Sequence, residues 1–152
     1  MKNLWTLAVL VGLVAVVAVM PAPAQMTFNG ADLEVKFTAP MPFYVGDKLM
    51  PAGAYEIKQG AGAQANTLLV RGKGKNEAYV EFTAVASSQP VTKMDVTFNK
   101  YGNKEYLNSI KYPSGDPTQG SFILKINPSA GEQAAAQAAA AAAHTIPASG
   151  KK

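Results

Sequence analysis

From residue 32 to residue 126, apolar and polar side chains alternate with a period of two, broken at short intervals by glycine and proline. A two-residue period puts successive side chains on opposite faces of a pleated strand, whereas a helix needs a period near 3.6. The clearest stretch is 42–57, PFYVGDKLMPAGAYEI. Phe43-Tyr44-Val45 is a short aromatic and β-branched run, and Gly46-Asp47-Lys48 is a turn. Pro51-Ala52-Gly53 is a second turn, and Tyr55-Glu56-Ile57 opens the next alternating strand. The rest of the body repeats this scheme of short strand, glycine turn, short strand.

Leu33, Val35 and Phe37 alternate with Glu34, Lys36 and Thr38, as in a strand with one wet face. Residues 67–71 are apolar on both faces at their middle, which suits a central strand. Gly72-Lys73-Gly74-Lys75-Asn76 is a hairpin tip. After it Ala78, Val80 and Phe82 face inward against Glu77, Tyr79 and Glu81. Met94, Val96 and Phe98 form another inward set. Tyr106, Ile110 and Tyr112 are read as one face of a strand broken at Asn108, and Phe122, Leu124 and Ile126 as the last strand. No intervening segment can hold a helical crossover of about a dozen residues. The expectation is an all-β fold: a single small antiparallel β-barrel or β-sandwich of about seven or eight short strands, with a C-terminal Ala-rich helix.

The two ends read differently. Residues 1–24 have the form of a signal peptide: Lys2 in a positive n-region, an apolar run, the breaker Pro21, and Ala22-Pro23-Ala24 before a cleavage point at Gln25. The organisation expected is a signal peptide over 1–24, a β domain over 25–128, an Ala-rich helix over 129–143 and a disordered tail over 144–152. Ser129 and Glu132 have capping-box spacing, and alanine fills most of 134–143. A leader of this kind and the absence of cysteine suit a secreted or periplasmic bacterial protein with no membrane span after cleavage.

The chemistry on offer is narrow. The single histidine, His144, stands in the tail, so no histidine-based triad or metal site is expected in the body. The body's carboxylates sit at outward positions beside lysine or threonine, as on a solvated sheet face. The chain is therefore expected to be no enzyme, and no cofactor is implied. A net charge of +4 is too small to argue for nucleic acid. The glycines near Lys73 lack the Walker spacing. Lys73, Lys75, Lys100 and Lys104 fall at turn tips and form a candidate patch for anionic surfaces. The plainer role for them is solubility and protection of strand edges. Tyr44, Tyr79 and Tyr101 form a candidate aromatic platform for a sugar, set against the commoner use of tyrosine in cross-strand packing.

Several segments taken together carry a resemblance. They are Phe43-x-Val45-Gly46, Pro51-Ala52-Gly53-x-Tyr55-x-Ile57, residues 68–71 and Val96-Thr97-Phe98-Asn99-x-Tyr101-Gly102, ending in Tyr106-Leu107-x-x-Ile110. This set resembles a group of short secreted proteins frequent in acidobacteria, with no assigned activity. The resemblance covers about residues 33–112 and implies export and a β fold. The chain departs from the pattern after Ile110, where Lys111-Tyr112 stands in place of a frequent tryptophan, and in its alanine-rich tail. The Pro-Ala-Gly-x-Tyr-x-Ile piece is also similar to a turn in prealbumin-like and carboxypeptidase-regulatory modules, which are Greek-key sandwiches. The function expected is an exported non-catalytic β domain with a structural, adhesive or self-assembling role in the cell envelope. The alternative is a small barrel binding an apolar ligand or an envelope glycan. Self-association and envelope components are the partners considered.

Overall fold

The structure is a computed structural model that describes residues 33–61, 64–114, 118, 120–139 and 141–151. The leader expected over 1–24 lies outside the described residues. Ten strands and one helix follow in order: β1 (Glu34–Ala39), β2 (Phe43–Val45), β3 (Lys48–Met50), β4 (Gly53–Gln59), β5 (Thr67–Arg71), β6 (Glu77–Ser87), β7 (Met94–Tyr101), β8 (Lys104–Pro113), β9 (Ser121–Ile126), α1 (Ala130–Ala138) and β10 (Ala141–Lys151).

Eight of the strands close an antiparallel barrel. Round the ring the order is β1-β4-β5-β6-β9-β8-β7-β10 and back to β1. The barrel is therefore one of the two all-β forms that the strand count allowed, and closure leaves the ring without free edges. It is not a plain meander. The β6–β7 connection skips past β9 and β8, and the β9–β10 connection, which carries α1, skips past β8 and β7.

The core follows the two-residue period. Val35, Phe37, Ile57, Leu68, Val70, Val80, Phe82, Val96, Phe98, Leu124 and Ile126 all point into the barrel and are buried. The hairpin β2–β3 is not part of the ring; it attaches to β8 through a parallel pairing of Tyr44 with Tyr106. Gly46, at φ +60, begins its two-residue turn, the position where a type II′ turn needs glycine. Phe43 from this hairpin enters the barrel and meets Phe37, Tyr55 and Phe98 at ring-centroid distances of 5.8, 5.0 and 5.3 Å. Edge-on packing of this kind is the favoured geometry for aromatic rings. The hairpin that organises the sequence thus serves as a plug, and side chains fill the lumen.

Two expectations are corrected. Of the tail expected to be disordered over 144–152, the described residues 144–151 form most of β10, which pairs with β7 from Ala141 to Ala148 and then with β1 through Ser149, Gly150 and Lys151. The helix expected to run to 143 stops at Ala138. Alanine favours helix locally, but β7 and β1 offer two unpaired edges, and satisfying their ladders outweighs the local preference. The second correction concerns β8. Thr97 pairs with Ser109 while Phe98 pairs with Leu107, so Asn108 is an extra residue, a β-bulge. The bulge sends Leu107 and Ile110 into the core. Tyr106 is buried too, but outside that core, against Tyr44 and Tyr101.

Candidate interaction surface

The antiparallel registers settle which turns share an end of the barrel. β5 rises to Arg71 and β6 descends from Glu77 beside it. β7 rises to Tyr101 and β8 descends from Lys104. Traced round the ring, both tips come out at the same end, together with the β2–β3 hairpin and α1. The opposite end carries the β4–β5, β6–β7 and β8–β9 connections. Lys73, Lys75, Lys100 and Lys104, assigned to one patch from the sequence, therefore come from two hairpins that topology brings to one end. Lys48 joins them from the plug, its Nζ donating to the Glu77 carbonyl at 2.5 Å.

The aromatic set divides. Tyr44 stacks on Tyr106 with centroids 4.9 Å apart and planes 20° apart, and Tyr101 lies 5.9 Å from Tyr106. Lys104 Nζ stands 5.8 Å above the Tyr44 ring, within cation–π range. Tyr79 is elsewhere: it faces outward on the β6 wall opposite Leu69, 60% exposed. The platform expected from Tyr44, Tyr79 and Tyr101 is thus a cluster of Tyr44, Tyr101 and Tyr106. Alternation alone puts Tyr106 in the core, and the only sequence mark of its true place is the break at Asn108.

Helix α1 closes the side of this cluster. Ser129 caps it, its Oγ accepting from the Glu132 backbone N–H at 3.1 Å. Asp47, on the plug's turn, accepts from the Gly131 N–H at 3.1 Å. A carboxylate at these unsatisfied N–H groups is favoured by the helix dipole. The capping-box role expected of Glu132 is replaced by a tertiary one, since its carboxylate accepts from Asn99 Nδ2 on β7 at 3.0 Å. Burial pushes the Glu132 carboxyl above the usual range, against the pull of the Asn99 bond. Burial likewise raises the Tyr106 hydroxyl, helped by Tyr44, Glu132, Asp47 and Tyr101. It raises that of Tyr101 too, helped by Glu132 and opposed by Asn99.

Two depressions that the sequence did not signal lie beside the β5–β6 tip. One of about 430 Å³ opens between Lys36, Thr38, Ala54, Glu56, Arg71 and Lys73. A smaller one of about 270 Å³ lies against Pro51, Gly53, Tyr55, Lys73 and Asn76. Both exist because small residues leave space: Ala54 borders the two, and Gly72 borders the larger. A Cβ on Gly72 would stand 2.5 Å from the Tyr55 ring. The charges around the larger depression are mostly engaged with one another. Lys36 lies 2.7 Å from Glu34 and Arg71 lies 3.5 Å from Glu77. Exposed pairs of this kind add little to stability, because solvent and salt screen them.

Among the described residues no three histidine, cysteine, aspartate or glutamate side chains gather as a metal site. No described helix is long and apolar enough to cross a membrane. His144, expected in a free tail, is a residue of β10 opposite Phe98. Compared with known proteins, the chain matches no family model, no curated protein and no solved structure.

Proposed function

We propose that this chain is an exported, non-catalytic β-barrel domain with a structural or adhesive role in the cell envelope, meeting anionic surfaces through the barrel end that carries the lysine tips. The observation that supports it most is the convergence of Lys73 and Lys75 with Lys100 and Lys104 from two separate hairpins, joined by Lys48. Charges gathered on one face act together on a surface, and their attraction to it fades with salt over a Debye length of about 8 Å at physiological ionic strength. A lumen filled by Phe37, Phe43, Tyr55 and Phe98 favours a role on the outside of the barrel over carriage of an apolar ligand inside it. One observation favours an acidic glycan as the anionic component: Lys104 Nζ over the half-buried Tyr44 ring joins a cation to an aromatic face.

The test is sedimentation of the protein lacking residues 1–24 with vesicles of pure phosphatidylcholine and of phosphatidylcholine mixed with phosphatidylglycerol, at low and high salt. Binding is expected only to the anionic vesicles and only at low salt. The combined Lys73→Gln, Lys75→Gln, Lys100→Gln, Lys104→Gln variant should bind at least about tenfold more weakly, since each lysine near an anionic surface contributes on the order of 1 kcal/mol. Equal binding to neutral vesicles, or an unchanged quadruple variant, would refute the proposal.

A further inference from the structure

Strand β10 closes the barrel, and its pairing is uneven: eight of its residues pair with β7 and three with β1. In β10 the sequence is AAAHTIPASGK. Of its described side chains, Ile146 and Ala148 reach the core, each only partly buried. Pro147 has no N–H to give a ladder, and Gly150 has no side chain to pack. Its backbone pairs along all of β7 but along only residues 34–36 of β1.

The segment entering β10 is at odds with its own preference. Alanines 139 and 141–143 would extend α1 if left alone, yet the chain leaves the helix at Ala139, whose φ of −142° and ψ of 154° are extended. Undocking β10 thus allows the alanines to return to helix, which lowers the free energy of the open form. Meanwhile α1 is tied to the barrel independently of β10, by Asp47 at Gly131 and by Asn99 at Glu132. The chain therefore changes direction where it leaves α1 at Ala139.

We infer that the slot between β7 and β1 accepts residues 141–151 of a second copy, so that two chains pair by exchanging their closing strands. The partner is specified by the slot itself: every register pair made by β10 with β7 and β1 is reproduced when an identical strand enters from another chain. Reciprocal exchange gives a closed two-fold pair, in which each barrel recovers from its partner's strand the ladder that its own strand vacates. A short hinge between packed elements favours such exchange. The inference goes beyond the role proposed above and is independent of binding to anionic surfaces.

The chain contains no cysteine. Lys36 and Ser149 are opposed across the β1–β10 seam, and both are exposed. Opposed residues of an antiparallel pair lie about 4.5–5.5 Å apart at Cα, within disulfide range. The experiment uses the double variant Lys36→Cys, Ser149→Cys, unfolded, refolded at two widely separated concentrations, oxidised, and run on a denaturing gel without reductant. At low concentration the bond should form within one chain. At high concentration a covalent dimer should appear whose digest contains the 36–149 linkage. While dimer remains the minor species, its fraction should rise about tenfold for each tenfold rise in chain concentration, by mass action. Monomer alone at both concentrations, or a dimer linked 36–36 or 149–149, would overturn the inference. If the variant fails to fold, native mass spectrometry of the unmodified chain after concentrated refolding decides instead. A dimer that survives dilution for hours supports exchange, and monomer alone refutes it. The monomer's vesicle binding is read separately, so failure of exchange is distinguishable from failure of the surface role.

Discussion

Two walls of the same barrel are built on opposite terms. In the β4–β5–β6 wall every strand is joined to the next in sequence, and Ile57, Leu68, Val70 and Val80 drive the alternation inward. Leu68 and Val70 are wholly buried, so a one-residue slip would turn both into water, and register is firmly specified. In β10 the described inward side chains are Ile146 and Ala148, and no hairpin ties the strand to either neighbour. Register there is set by β7 and β1. The contrast shows that a closed barrel needs strong side-chain patterning in most of its strands, but not in the one that enters a slot already shaped by the others.

The sharpest way to break the comparison is a pair of truncations. Leu68→Ala should cost about 2–5 kcal/mol of unfolding free energy, as deletions in close-packed cores do. Ile146→Ala, at a half-buried site, should cost less than half as much. Urea denaturation of both variants measures the difference, and equal losses would place β10 on the same footing as β5. A narrower perturbation follows at Gly150, where a Cβ would collide with the Glu34 carbonyl. Gly150→Ala should destabilise by about 1–3 kcal/mol, the usual range for overpacking. Amide exchange should quicken at residues 34–36 and 149–151 while the β4–β5–β6 amides stay protected. Uniform loss of protection would mean that the seam is not locally separable.

The smallest effect expected is on pH. The Glu132 carboxyl is raised above its usual 4.5 by burial. A group whose folded value is raised gives stability that is complete below 4.5 and is lost as pH rises through the folded value. The amides of α1 should therefore exchange more slowly, after correction for intrinsic rates, at pH 4 than at pH 8. Glu132→Gln should flatten that trend. A trend that persists unchanged in the variant would assign it to another group.

Much of the barrel wall can be read from residues alone. Leu33, Val35 and Phe37, then Ala78, Val80 and Phe82, face inward as their alternation requires. The candidate surface is only half legible. The lysines stand at tips because turn chemistry is local, but their gathering at one end depends on the ring order. Alternation misplaces Tyr106 because the bulge at Asn108 shifts the inward set from 106 to 107. The bulge exists in relation to the partner strand β7, which no window on β8 contains.

Strand identity, turn positions and the inward face follow from interactions between residues a few positions apart, and such interactions leave a periodic trace in the chain. Closure of the ring, the seating of Phe43 among Phe37, Tyr55 and Phe98, and the conversion of the alanine tail into β10 all depend on edges far apart in sequence. An alanine run carries the local preference of a helix. It becomes a strand only where two distant backbones present unpaired N–H and C=O groups whose satisfaction outweighs that preference.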